Sequence, residues 1–135
     1  MSKLLLLLLI MLATATASAE LVVIANDHNK LKAIEPSQLQ DLYLGRKRTF
    51  EDGNIALPID QAKLRTEFYL KLTNRPIEQI NAYWARIMFS GEASPPRILP
   101  DDDSVIRAIK ENPGAIGYVS KESTNKGVKT LLILK

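Results

Sequence analysis

A chain of 135 residues, 46% hydrophobic and with a net charge of +3, has room for one buried core of ordinary size. Its 18 basic and 15 acidic residues are interspersed, which excludes the basic stripe of a nucleic-acid binder. With no cysteine and a single histidine it can build neither a thiolate nor a His-rich metal site, has no cysteine nucleophile, and uses no disulfide.

Residues 1–19 read as a secretory leader, and residues 20–135 as the mature domain. Lys3 supplies the basic start, Leu4 to Ala13 an uncharged apolar run, and Ala17-Ser18-Ala19 the small residues of a cleavage site. The run is shorter than the about 20 apolar residues that span a bilayer. No cysteine follows it to carry a lipid anchor. The expectation is export to the periplasm with cleavage before Glu20.

Leu21-Val22-Val23-Ile24-Ala25 then reads as a strand covered on both faces, with Asn26 to Lys30 as the loop at its carboxyl end. Ser37 and Gln40 fit a capping box after Pro36. Leu39, Leu42 and Tyr43 share one face of that helix, and Gly45 ends it. Ile55 to Ile59 reads as a second strand, with Pro58 suggesting an edge or a strand end. Asp60 is placed to cap a helix over 61–73, whose apolar stripe is Leu64, Phe68 and Leu72.

Pro76 suits the first position of the next helix, where Ile77, Ile80, Trp84, Ile87 and Met88 form a strong stripe closed by Gly91. Ser94-Pro95-Pro96 is a loop. Asp101-Asp102-Asp103 favour the amino end of a helix carrying Val105, Ile106 and Ile109, which Asn112-Pro113-Gly114 stops. Ala115 to Val119 and Thr130 to Leu134 read as the last strands. The order predicts an α/β fold, a small mixed sheet flanked by helices.

Candidate ligand positions fall at two places. Asn26 and Asp27 follow the first strand, and open α/β sheets bind ligands at the carboxyl ends of strands. The junction Asp60-Gln61-Ala62-Lys63-Leu64-Arg65 opens a helix, whose amino end attracts anions through free N–H groups. Lys63 and Arg65 would add charge there. The alternative is an ordinary helix start capped by Asp60, with solvated bases. His28, the sole histidine, fits a surface position, and Arg46-Lys47-Arg48 a solvated turn. The three aspartates lack the spaced ligands of a calcium loop. No Gly-rich phosphate loop and no nucleophile with a base is present, so neither catalysis nor a cofactor is expected.

Leu42-Tyr43-Leu44-Gly45-Arg46, Pro58-Ile59-Asp60-Gln61 and Pro113-Gly114-Ala115-Ile116-Gly117-Tyr118-Val119 occur in an order that resembles the periplasmic phosphate-binding proteins of ABC transporters. Tyr83-Trp84-Ala85-Arg86 with Phe89-Ser90-Gly91 resembles a branch of small proteins in that superfamily. The resemblance implies one lobe of a two-lobed type II periplasmic binding protein, and binding of phosphate or another small oxyanion. It carries the ligand positions onto Asn26, Asp27, Asp60, Gln61 and Arg65. It also implies a membrane transporter or other periplasmic protein as partner. Two departures stand out. The loop after the first strand lacks the family's Gly, Ser and Thr, and the helix junction lacks its Gly-Ser-Gly-Thr turn. An interaction module that kept the fold and lost the ligand is the alternative.

Overall fold

The computed structural model describes residues 19–124 and 127–135. The leader read from residues 1–19 lies, but for Ala19, outside the described residues. No helix among the described residues is long and apolar enough to cross a membrane.

The chain runs β1 (Leu21–Asn26), α1 (Pro36–Tyr43), β2 (Leu57–Gln61), α2 (Arg65–Thr73), α3 (Ile77–Ser90), β3 (Arg97–Leu99), α4 (Asp102–Glu111), β4 (Ala115–Ser120), a 3-10 turn at Lys121–Ser123, and β5 (Val128–Leu134). The five strands form one sheet in the order β3-β2-β4-β1-β5. β2 runs parallel to β3 and β4, whereas β1 is antiparallel to both of its neighbours, β4 and β5. The sheet is therefore mixed, as expected, and β1 is the strand that points the other way.

All six residues of β1 are buried because the sheet is covered on both faces. Side chains of a strand alternate between faces. Leu21, Val23 and Ala25 join Ile116 and Tyr118 in a core under α1, α2 and α3. Val22 and Ile24 join Val119, Val105, Ile106 and Ile109 in a second core under α4. Gly117 faces that second layer, and a Cβ there would lie 2.8 Å from Val105 Cγ1, so glycine sets how closely α4 approaches β4. Gly45, just past α1, has φ +70 and would put a Cβ 2.8 Å from Trp84 Cη2, so both its backbone and its neighbour require glycine.

The helix signals held in kind and shifted in detail. The capping box of α1 is built by Glu35 and Gln38, two residues earlier than Ser37 and Gln40, with Pro36 in the first turn. Asp101 caps α4 by accepting from the Ser104 N–H at 2.9 Å. Gly91 ends α3 in the left-handed conformation. β2 spans 57–61 and is an inner strand. Pro58 is accommodated because Leu57 N–H bonds Gly114 O toward β4, so the next residue's N position faces the side that β3 reaches only from Ile59 onward. β3 has three residues directly after Pro95-Pro96, too short for any alternation to announce it in the sequence.

Candidate functional site

The reversed direction of β1 separates the two sets of expected ligand residues. Ala25 pairs with Ile116 and Leu21 with Ser120, while Pro58 pairs with Ile116 on the other side of β4. Asn26 thus lies level with the start of β4, and Gln61 level with its end, about 13 Å apart along the strands at ~3.3 Å per residue. The two candidate places, at Asn26 and at Gln61, therefore do not line one site. Asn26 instead closes α4. Its Nδ2 donates to Ile109 O at 2.8 Å and Lys110 O at 3.2 Å, and its Oδ1 accepts from His28 N–H at 2.9 Å. Asp27 sits exposed in the turn that follows.

Asp60, Gln61 and Arg65 are brought together. The expected helix over 61–73 begins only at Arg65, because Asp60 and Gln61 are the last residues of β2. Asp60 therefore does not cap α2. Its N-cap is Leu64, with no side-chain hydrogen bond. The Asp60 side chain points into the protein and is 1% exposed. Its Oδ1 accepts from Tyr118 OH at 2.9 Å, and its Oδ2 from Tyr69 OH at 3.0 Å and Arg65 Nε at 3.3 Å. Arg65 also donates from Nη1 to Asn81 Oδ1 at 2.6 Å, and its guanidinium lies 5.3 Å from the centre of the Tyr69 ring.

Burial pushes the Asp60 carboxyl above its ordinary value, and the bonds from Tyr118, Arg65 and Tyr69 only partly offset it. Burial, with the nearby Asp60 charge second, also pushes the Tyr43, Tyr69 and Tyr118 phenols up, so all three remain donors. An acid whose pKa is raised by folding weakens the fold as it ionises, so its stabilising contribution is present below 3.8 and is lost as pH rises through the raised folded value. The stability of the wild type relative to Asp60→Asn should accordingly fall between acidic and neutral pH. Urea denaturation of both proteins at several pH values reads this; a difference that stays flat or grows with pH would contradict the burial account.

Beside this buried group lies a shallow surface hollow of about 390 Å³, lined by Gln61, Lys63, Leu64, Asp101, Asp102, Asp103, Ser120 and Ser123. Gln61 Nε2 donates to Asp102 Oδ1 at 2.7 Å and to Tyr118 O at 3.2 Å. Ser120 donates to Asp102 from both its N–H and its Oγ. Burial opposes ionisation of Asp102, but hydrogen bonds from Ser120, Ser123 and Gln61 outweigh it and hold the carboxyl below its usual range. Hydrogen bonds from Ser104 likewise lower Asp101. The hollow is thus lined by ionised carboxylates. Among the described residues no cluster of His, Cys, Asp and Glu is arranged to hold a metal ion.

Sequence reasoning missed the role of Tyr69 and the inward turn of Tyr118. A signal existed for the first: Tyr69 is four residues after Arg65, so the two share a helix face. At the other end of β2 an open cleft of about 1080 Å³ is bordered by Ile55, Leu57, Trp84, Met88, Pro95 and Arg97. Ile55, Leu57 and Met88 are exposed there.

No protein-family model matches the chain, and no curated protein is similar to it in sequence. Solved structures do match. An ABC-type phosphate transport receptor from Vibrio cholerae superposes with a TM-score of 0.65 at 15% identity, covering 84% of this chain and 46% of the receptor. A phosphate-bound protein from Clostridium perfringens, assigned as a phosphate ABC transporter substrate-binding protein, gives 0.66 at 15% identity, covering 84% and 45%. PstS from Borrelia burgdorferi gives 0.59 at 17% identity, covering 84% and 47%. At these identities the likeness is one of fold. The chain has the fold of part of a phosphate-binding receptor and spans a little under half the length of the proteins it matches.

Proposed function

We propose that the protein is an exported, non-catalytic receptor-like module that acts by contact with a membrane transporter or another periplasmic protein, and not as a carrier of free phosphate. The observation behind this is the charge at the carboxyl ends of β2 and β4, where such folds bind their ligands. Arg65 turns inward onto Asp60, leaving its side chain 17% exposed. Among the described residues Lys63 is the one cation lining the neighbouring hollow, against Asp101, Asp102 and Asp103. An approaching oxyanion meets a negative rim, which repels it. Exposed Ile55, Leu57 and Met88 supply apolar surface of the kind that protein contacts use. Export rests on the leader residues Lys3 to Ala19, and a purified mature protein beginning at Glu20 would establish it.

Phosphate capture is the second reading. It is favoured by the first turn of α2, which lacks a side-chain cap and lies beside Lys63. Calorimetric titration of the purified protein with phosphate and sulfate separates the two. No saturable heat up to millimolar anion is the expected result. Micromolar binding that disappears in Arg65→Ala would establish an oxyanion receptor instead.

A further inference from the structure

We propose that Arg65, Tyr69 and Tyr118 form an anion-recognition cradle for a carboxylate, and that the chain fills this cradle with its own Asp60. Three donors from two elements converge on the two carboxylate oxygens at 2.9 to 3.3 Å. A guanidinium with two phenols is the donor chemistry that carboxylates select, since bonds to an ionised acceptor are the strong ones.

Each donor is also held by something other than Asp60. Arg65 is anchored to Asn81 and lies against the Tyr69 ring. Tyr118 OH accepts from Gln61 N–H at 3.1 Å, which directs its own proton toward Asp60. The Tyr118 ring is stacked on Phe68 at 3.7 Å between centroids. The cradle is therefore built by the surrounding fold and does not need Asp60 to shape it. Its place, at the end of a parallel strand and the start of α2, is where open α/β sheets take up ligands.

The inference rests on the reading that this junction is closed to free oxyanions, and it extends that reading. A junction of β2, α2 and β4 held together by an internal carboxylate needs no solute to complete it. The module is then permanently in its occupied form, and its contact with a partner is independent of anion supply.

Chemical rescue tests this. Asp60→Gly and Asp60→Ala empty the cradle while leaving its donors, and formate has the size and charge of the missing group. Thermal unfolding is followed in sodium formate, in formamide as the neutral isostere, and in sodium chloride at equal ionic strength. Formate at about 0.1 M should raise Tm by about 5 °C over chloride in at least one variant. Formamide should give no such rise, and neither should wild type in formate. Adding Arg65→Gln should abolish the gain. Where a variant is unfolded in buffer, recovery of far-ultraviolet circular dichroism in formate reads the same property. No gain in either variant, an equal gain from formamide, or the same gain in wild type would each overturn the cradle. Phosphate titration of wild type is run alongside. Saturable binding there would overturn the closed junction, whereas the formate result speaks for the cradle alone.

Discussion

Asp60→Ala is expected to destabilise the protein by about 3–5 kcal/mol in urea denaturation, the range for removing one partner of a buried ion pair. The reason is what remains behind. Tyr118 OH and Tyr69 OH lose their acceptor in the interior, and among the described residues Arg65 is left with a hydrogen bond to Asn81 and the face of the Tyr69 ring in place of its carboxylate. A buried donor left without an acceptor costs its full desolvation. Asp60→Asn keeps the volume and one acceptor oxygen, so a smaller loss is expected. A loss below about 1 kcal/mol for Asp60→Ala, in the range of ordinary surface changes, would show that water reaches the site and that the pair is not a structural element.

Phe68→Ala is the second change with a large expected effect, also about 3–5 kcal/mol. Phe68 is fully buried on α2. Its ring is stacked on Tyr118 and meets the Tyr43 ring edge-on at 4.7 Å and Tyr69 at 5.2 Å. The cavity would open directly behind the two phenols that serve Asp60. Loss of packing should therefore loosen the hydrogen bonds as well. A double-mutant cycle of Phe68→Ala with Asp60→Asn should show a coupling of at least about 0.5 kcal/mol. Strict additivity would mean that the aromatic cluster and the carboxylate are energetically separate, although they share Tyr69 and Tyr118.

Helices and fold class were legible because their signals are local. The stripe of α3 holds in space for Ile80 and Trp84, which are buried, while Met88 at its far end stands exposed beside the cleft. Asp101 caps α4 where the acids pointed. The phrases that carried the family resemblance turn out to be packing constraints. Gly45 is required by its φ and by Trp84, and Gly117 by Val105. Tyr43 OH ties α1 to Ile59 O and Ile116 O, and Tyr118 OH ties β4 to Asp60. Such residues identify a fold at low sequence identity and are silent about a ligand.

How the candidate ligand residues are placed in space was not legible, because it is set by contacts distant in the chain. Strand direction is a property of pairing, and β1 finds its partners in β4 and β5, close to a hundred residues away in the chain. Nothing within Leu21 to Asn26 states that its carboxyl end faces away from that of β2. Asp60 shows the limit more sharply. Next to a predicted helix an aspartate reads as a cap, because capping is a contact within three residues. Its acceptors' true donors stand five, nine and 58 residues away.

The sequence by itself determined the α/β class, the main helices and the doubly covered first strand, which follow from periodicity and caps, while the likeness to phosphate receptors rested on the resemblance of a few phrases such as Pro113 to Val119. Only the tertiary structure decided that Asn26 closes α4, that Asp60 is a buried acceptor for three donors, and that Arg65 is already taken. Those outcomes depend on which distant side chains meet in the core, and burial then reverses the role that a charged residue has on a local stretch of chain.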